Sequence, residues 1–153
     1  MGCQLGGAVK NIYAIASGIS NGLSLGENAK SALIARSFAE ITRLGLALKA
    51  NANTLFGLSG LGDLILTCSS LKSRNTHFGH LIASQQQISI EDHLKSQDTT
   101  EGYFTVKAVN KIAEEKNIDM PIMKAVYNIL YKHSDIKDEI NKLLERSSKS
   151  ELN

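Results

Sequence analysis

The stretch that decides the fold runs from Leu5 to Leu23 and reads LGGAVKNIYAIASGISNGL. Apolar residues recur in it three or four positions apart, at Leu5, Val9, Ile12, Ala16, Ile19 and Leu23. This spacing places their side chains on one face of an α-helix of roughly five turns. The helix is expected to end at Asn21-Gly22, because asparagine and glycine are favoured at helix C-termini.

The same period continues through most of the chain. A second helix is predicted over about residues 28–49, with an inward face made of Ile34, Phe38, Ile41 and Leu48. Further helices are predicted to begin near Ser73, Ser89, Gly102, Pro121 and Asp135. These patterns predict one compact all-α domain over residues 1–144, followed by a frayed polar tail over residues 145–153.

On the second predicted helix, three charged residues, Arg36, Glu40 and Arg43, lie three and four positions apart. Such residues can pair along one helix face, and surface charges of this kind are usually solvated. We therefore interpret the trio as part of the solvent-exposed face of that helix.

The segment LFGLSGLGDLIL, residues 55–66, interrupts the helical pattern with Gly57, Gly60 and Gly62. Each glycine costs about 1 kcal/mol in a helix interior, so turns or a close backbone approach are expected here. The Leu64-Ile65-Leu66 run that follows fits either a short strand or a buried helical turn, and both interpretations stay open.

Composition limits the class of protein. The 153 residues are 42% hydrophobic, enough for one domain with a core, and 17 basic against 15 acidic residues give a net charge of +2. This balance does not favour nucleic acid or a membrane surface as a partner. The two cysteines suggest reduced thiols, and the sequence contains neither a signal peptide nor an apolar run long enough to span a membrane. We therefore expect a cytoplasmic protein.

Lys10 and Asp63 are the first candidates for chemistry. Both lie among apolar neighbours, and a buried ammonium group needs a carboxylate to compensate it. A paired lysine can serve as a general acid for carbonyl reduction, or as the base in the reverse direction. A purely structural ion pair fits the same residues, so both interpretations stay open.

The second candidate is Ser73-Arg74-Asn75, at the predicted start of a helix. A hydroxyl, a guanidinium and an amide beside free helix N–H groups suit a phosphate monoester, although a plain helix cap explains the serine equally well. The histidines lack cysteine or acidic partners at ligand spacing, so no metal site is expected. No Gly-x-Gly-x-x-Gly motif follows a β-branched run, so this chain has no dinucleotide fingerprint of its own.

These motifs resemble, in order, those of the C-terminal domain of bacterial-type NAD(P)-dependent glycerol-3-phosphate dehydrogenase. The resemblance covers roughly residues 2–144. The matching segments are GGAVKN at 6–11, EITRLG at 40–45, FGLSGLGDL at 56–64, Thr67-Cys68, Ser73-Arg74-Asn75, Glu101-Gly102 and MPI at 120–122.

The resemblance implies an all-α fold of the 6-phosphogluconate dehydrogenase C-terminal-like type. It also implies interconversion of dihydroxyacetone phosphate and sn-glycerol 3-phosphate with NAD or NADP, which supplies a phospholipid precursor. The implied catalytic residue is Lys10. The implied substrate-binding residues are Lys10, Asp63, Ser73, Arg74 and Asn75. The implied cofactor-binding residues are Arg74, Thr99 and Glu101, although Thr99-Thr100 replaces two valines of the family motif.

The family's enzymes also have an N-terminal dinucleotide-binding domain, which this sequence lacks. Three explanations stay open: a piece of a full enzyme, one half of a split enzyme, or a remnant of a disrupted gene. The expected partners are sn-glycerol 3-phosphate, dihydroxyacetone phosphate, a separate dinucleotide-binding half and a second copy in a homodimer. The alternative is a non-catalytic helical module for oligomerisation or phosphate binding.

Overall fold

The computed structural model describes the backbone of residues 2–49, 58–84, 90–95 and 100–152, and their side chains except those of residues 2–6, 58, 59, 93, 95 and 147–152. Within these ranges the chain forms helices and no strand, which confirms the all-α prediction. The helices are α1 (Gly2–Gly22), α2 (Glu27–Ala47), α3 (Leu58–Ser69), α4 (Arg74–Ser84), α5 (Ile90–Lys95), α6 (Glu101–Lys116), α7 (Pro121–Tyr131) and α8 (Ile136–Leu152).

Helix α1 is the centre of the fold. It contacts α2, α3, α4, α6 and α7, and all of its residues from Asn11 to Ser20 are buried. The predicted apolar face is present, with Val9, Ile12 and Ile19 in the core. The opposite face is buried as well, since Ala14 is also fully enclosed. A helix that is apolar on all sides is typical of a core position.

Two glycines allow α1 and α4 to cross at very short range. A Cβ atom on Gly18 would lie 1.9 Å from the Thr76 carbonyl oxygen, and one on Gly79 would lie 2.0 Å from the Ile15 carbonyl oxygen. No side chain fits at these distances, so the crossing requires glycine on both helices. This crossing fixes α4 against α1 and thereby sets the position of the first turn of α4.

The glycine-rich segment is helical where it is described. Leu64, Ile65 and Leu66 all belong to α3, which rules out the strand interpretation, and only Leu64 is buried. A Cβ atom on Gly62 would meet no atom within 4 Å, so the expected close approach does not occur there. Gly57 lies outside the described residues.

The interpretation of Glu40 as a solvated residue was wrong. Its side chain is only 1% exposed. The carboxylate accepts hydrogen bonds from the Ile122 amide at 2.6 Å, the Met123 amide at 3.2 Å and the Tyr13 hydroxyl at 2.9 Å. Glu40 therefore caps the N-terminus of α7 from a distant helix, while Arg36 and Arg43 are exposed as predicted.

The C-terminal helices follow the predicted pattern. Pro121 occupies the first turn of α7, and the Asp135 carboxylate accepts from the Asp138 amide at 3.3 Å at the start of α8. Helix α5 begins at Ile90, and Ser89 before it lies outside the described residues. The backbone of α8 is helical through Leu152, so residues 145–152 are helical where a frayed tail was expected. The division of the chain at residue 144 stays a prediction.

Candidate active site

The predicted pair between Lys10 and Asp63 is present. The Lys10 Nζ atom lies 2.6 Å from Asp63 Oδ2 and joins α1 to α3. The side chains are 25% and 48% exposed, so Asp63 lies at the surface and the apolar surroundings expected for it were wrong. Because exposed ion pairs contribute little to stability, this pair is available for chemistry without a large cost to the fold.

Two hydroxyl groups hold the end of α3 that follows Asp63. Ser17 donates to the Cys68 carbonyl oxygen at 2.7 Å, and Thr76 donates to the Thr67 carbonyl oxygen at 2.8 Å. These bonds satisfy carbonyls in the last helical turn, which have no partner within the helix. Burial raises the pKa of the Cys68 thiol to about 12, so this cysteine stays protonated and is not a nucleophile at neutral pH.

The first turn of α4 carries the predicted Ser-Arg-Asn motif. The Ser73 hydroxyl oxygen lies 3.5 Å from the Thr76 amide nitrogen, and the Ser73 carbonyl accepts from the His77 amide at 2.9 Å. Ser73 is thus the N-cap residue that the sequence predicts. Arg74 follows it, is exposed, and has no hydrogen-bonding or ionic partner among the described residues.

Asn75 connects α4 to α6. Its side-chain oxygen accepts a hydrogen bond from the Gly102 amide at 2.9 Å in a buried setting. A Cβ atom on Gly102 would lie 2.8 Å from both the Asn11 carbonyl oxygen and Asn75 Oδ1, so only glycine permits this approach. The Glu101-Gly102 motif therefore has a structural reason: the glycine lets the start of α6 dock against α1 and α4.

Glu101 lies beside the lysine segment of α1. The Asn11 amide group donates to Glu101 Oε2 at 3.4 Å, and Asn11 is the residue after Lys10. The bonds from Lys10 to Asp63, from Asn11 to Glu101 and from Gly102 to Asn75 therefore link α1, α3, α4 and α6. Thr99, the other predicted cofactor contact, lies outside the described residues.

The first turn of α4 offers an anion a helix end and the Arg74 cation, while Asp63 and Glu101 are the carboxylates of the site. The N-termini of α4 and α6 meet through the bond between Asn75 and Gly102, and a helix N-terminus carries a partial positive charge and free N–H groups. The cations Lys10 and Arg74 lie on the adjoining segments. No cluster of three histidine, cysteine, aspartate or glutamate residues with metal-binding geometry occurs in the described part of the chain.

Comparison with known proteins identifies the family. The family model of the NAD-dependent glycerol-3-phosphate dehydrogenase C-terminus matches residues 1–141. The chain belongs to this family.

The relatives are glycerol-3-phosphate dehydrogenases. The chain is 49% identical over 152 residues to "Glycerol-3-phosphate dehydrogenase [NAD(P)+]" of Francisella philomiragia, covering 99% of this chain and 45% of the relative. It is 46% identical over 153 residues to the protein of the same name from Oceanobacillus iheyensis, covering 99% of this chain and 44% of the relative. The chain thus spans less than half the length of these relatives.

Solved structures of the family give the same result. The glycerol-3-phosphate dehydrogenase of Coxiella burnetii superposes with a TM-score of 0.86 at 40% identity, over 94% of this chain and 44% of that chain. The yeast Saccharomyces cerevisiae enzyme superposes with a TM-score of 0.80 at 28% identity, over 92% of this chain and 41% of that chain. The finer assignment to the 6-phosphogluconate dehydrogenase C-terminal-like type stays a prediction.

Asp63, Arg74 and Glu101 are exposed in the described part of the chain. A large apolar groove of about 510 Å³ lies elsewhere, between α2, α7 and α8, and includes none of the predicted site residues. Four large apolar side chains with high exposure lie within three positions of a predicted site residue: Ile65 (44%), Leu66 (70%), Leu71 (46%) and Phe104 (63%). None of the helices in the described ranges is both long and apolar enough to cross a membrane.

Sequence reasoning missed two features of the site. Asn11 was noted only as part of the motif that contains Lys10 and was given no role of its own. The bond from Asn75 to Gly102 joins residues 27 positions apart, and nothing in the local sequence of either segment indicates it.

Proposed function

We propose that this chain is the substrate-binding and catalytic half of a glycerol-3-phosphate dehydrogenase. The reaction is the interconversion of dihydroxyacetone phosphate and sn-glycerol 3-phosphate with NAD or NADP, in the cytoplasm, and it supplies a phospholipid precursor. One series of contacts carries the proposal: the Asn75–Gly102 bond joins two helix N-termini, Asn11 contacts Glu101 beside them, and the preceding residue, Lys10, pairs with Asp63. A small phosphorylated carbonyl compound matches this arrangement.

The phosphate group is assigned to the first turn of α4. Ser73, Arg74 and the amide N–H₂ group of Asn75 can donate to phosphate oxygens, and the guanidinium can bind two oxygens at once. The partial positive charge of the helix end adds to this attraction. Arg74 is exposed, so its side chain is accessible to a ligand.

Lys10 is assigned the proton transfer. The cofactor supplies a hydride to the carbonyl carbon, and the Lys10 ammonium group gives a proton to the carbonyl oxygen. The Asp63 carboxylate, 2.6 Å from the Lys10 ammonium nitrogen, orients the lysine and also lines the substrate site. In the reverse direction, Lys10 accepts the proton of the alcohol.

The cofactor is assigned to the side of the site that contains Glu101 and Arg74, with Thr99 as a further contact. Since this chain has no dinucleotide fingerprint, a dinucleotide-binding half must hold the rest of the cofactor. We assign the exposed apolar side chains of Ile65, Leu66 and Phe104 as contacts for such a half, because large exposed apolar residues occur at interfaces.

The test is a fusion of this chain to the N-terminal half of the Francisella philomiragia relative. We expect NADH oxidation that depends on dihydroxyacetone phosphate. Neither half alone should show turnover, because the orientation of cofactor against substrate accounts for roughly 7–11 kcal/mol of the barrier. A folded fusion that binds NADH and lacks turnover would contradict the proposal.

The alternative, a non-catalytic module for oligomerisation or phosphate binding, has one observation in its favour. The groove between α2, α7 and α8 has Leu25 and Leu144 in its lining, and these side chains are 45% and 60% exposed. Such a surface suits a second copy of the chain in a homodimer. Sedimentation analysis of the chain, combined with the fusion assay, separates the two functions: a dimer that binds phosphate and gives an inactive fusion would favour the alternative.

A further inference from the structure

Asn75 uses the two ends of its side chain differently. The carboxamide oxygen accepts from the Gly102 amide at 2.9 Å, and the residue as a whole is only 7% exposed. Because the Gly102 amide is a donor, the carboxamide must present its oxygen there, and the orientation of the side chain is fixed by this bond. The N–H₂ end is therefore directed away from α6.

This bond provides the side-chain cap of α6. Thr100, the residue in the N-cap position, makes no side-chain capping hydrogen bond. Gly102 approaches so closely that a Cβ atom would clash with Asn75 Oδ1. The first turn of α6 is thus docked on α4 through Asn75, and this turn begins with Glu101.

We propose that Asn75 is a positioning residue for the cofactor side of the site. This inference rests on the proposed function and deepens it. The oxygen of Asn75 fixes the first turn of α6 and so holds Glu101 beside Asn11, while the N–H₂ end serves the substrate phosphate. One side chain then connects the substrate end of the site to the cofactor end.

Two substitutions test the oxygen and the N–H₂ group of Asn75 separately. Asn75→Asp keeps an acceptor for the Gly102 amide and replaces the N–H₂ donor with a negative charge, which a helix N-terminus tolerates well. Asn75→Ala removes both the acceptor and the donor. The aspartate variant therefore tests the donor by itself, and the difference between the two variants isolates the oxygen.

In the active fusion, we expect Asn75→Ala to raise the KM for NADH roughly tenfold, which corresponds to the loss of one cap. Asn75→Asp should leave the KM for NADH nearly unchanged and raise only the KM for dihydroxyacetone phosphate. A purely structural role would not separate the two KM values in this way. Equal increases in the KM for NADH in both variants would overturn the proposal, as would no increase in Asn75→Ala.

A double-mutant cycle tests whether Asn75 affects the KM for NADH through Glu101. If Asn75 acts by placing Glu101, then Asn75→Ala should add little to the increase in the KM for NADH already caused by Glu101→Ala. Fully additive effects would show that the two residues act independently and would contradict the route. If Asn75→Ala fails to fold, Asn75→Asp still decides: an increase in the KM for NADH equal to that of Glu101→Ala overturns the proposal.

Hydrogen exchange on the chain itself gives a readout that needs no activity. The Gly102 amide should exchange roughly tenfold faster in Asn75→Ala and at nearly the original rate in Asn75→Asp. Exchange of the Ile122 amide, which Glu40 holds, is the internal control and should not change. Unchanged Gly102 exchange in Asn75→Ala would overturn the positioning role even if the fusion is active. An inactive fusion with the predicted exchange would contradict only the proposed function.

Discussion

The first-turn amides of α6 and α7 both need a hydrogen-bond acceptor, and different kinds of side chain supply it. Both are capped by a side chain from another helix, α6 by Asn75 and α7 by Glu40, and neither local N-cap residue makes a side-chain capping bond. The cap of α6 is neutral, the carboxylate in its first turn is the exposed Glu101, and the first turn of α4 that joins it has no acidic residue. The cap of α7 is a carboxylate that compensates the partial positive charge of its helix end. The difference separates a helix end that can serve a site from one that serves the core.

The carboxyl group that caps α7 is buried, whereas the carboxylate of the candidate site is half-exposed. Desolvation raises the pKa of Glu40 to about 7, and the amide and hydroxyl donors around it and the charge of Arg43 offset this only in part. Burial and the nearby Glu40 carboxylate also raise the pKa of Tyr13 well above its usual value. A perturbed carboxyl group often marks a reaction site. In this chain it marks the buried cap of α7, whereas the candidate site contains a half-exposed ion pair.

The largest expected effect is on turnover. If the reaction takes place beside α6, Lys10→Met in the active fusion should lower kcat by about 10²- to 10⁴-fold, because the proton donor is removed. The free energy of unfolding should hardly change, since the partner Asp63 is half-exposed. Steady-state kinetics and urea unfolding measure the two quantities. Lys111→Met, at an exposed position on α6, is the matched control, and normal turnover in Lys10→Met would assign the proton transfer to another residue.

The next largest effect is expected on the stability of the fold, from the cap at the N-terminus of α7. Glu40→Ala leaves two amides of α7 and the Tyr13 hydroxyl without their acceptor in the core. We expect a loss of about 3 kcal/mol in the free energy of unfolding, measured in urea. Asp63→Ala is the control at the exposed carboxylate and should cost less than about 1 kcal/mol. Similar losses in the two variants would remove the distinction between the helix ends.

The pH dependence of stability is a third test. The pKa of Glu40 is about 7 in the folded state against an ordinary value of 4.5, so the folded state binds the proton more tightly. Stability from this group is therefore complete below about pH 4.5 and is lost as the pH rises through about 7, by at most about 3 kcal/mol. Glu40→Gln cannot titrate, so its unfolding free energy should fall less over this range. If the unfolding free energies of the unmodified chain and Glu40→Gln changed in parallel with pH, the raised pKa of Glu40 would be contradicted.

The smallest effect concerns the neutral cap. Asn75→Ala should lower the free energy of unfolding by about 1 kcal/mol, the usual cost of one lost cap. Asn75→Asp should restore most of this stability, because it keeps an acceptor for the Gly102 amide. Thermal unfolding of the unmodified chain, Asn75→Ala and Asn75→Asp measures this order of stability. A loss in Asn75→Ala as large as that in Glu40→Ala would mean that the cap of α6 supports the core to the same degree as the cap of α7.

Local patterns predicted much of the fold. The apolar period of α1, the N-cap at Ser73 and the proline in the first turn of α7 depend on neighbouring residues, so one sequence is enough to find them. The pairing of Lys10 with Asp63 was also predicted, because a lysine in an apolar segment needs a nearby carboxylate. The surface position of Asp63 was not predicted.

The remaining features depend on contacts between distant segments. Glu40 was assigned to a solvated face because its neighbours on α2 are charged, but its partner Ile122 lies 82 positions away. The close crossing at Gly18 and Gly79 and the bond from Asn75 to Gly102 are of the same kind. Helical periodicity shows which face of a helix is apolar, but it does not show which distant helix end a polar side chain will cap.

The central claim is that the joined N-termini of α4 and α6 form the anion site and that the N-terminus of α7 does not. A titration of the ¹⁵N-labelled chain with sn-glycerol 3-phosphate, followed by amide chemical shifts, tests this claim most directly. We predict that the amides of Arg74, Asn75 and Gly102 shift with an affinity of about 1 mM or weaker, as a few charge-assisted hydrogen bonds would give. The chemical shifts of the Ile122 and Met123 amides should not change, because these amides already donate hydrogen bonds to Glu40. Shifts centred on α7, or no shifts at α4 and α6 at tens of millimolar ligand, would contradict the account.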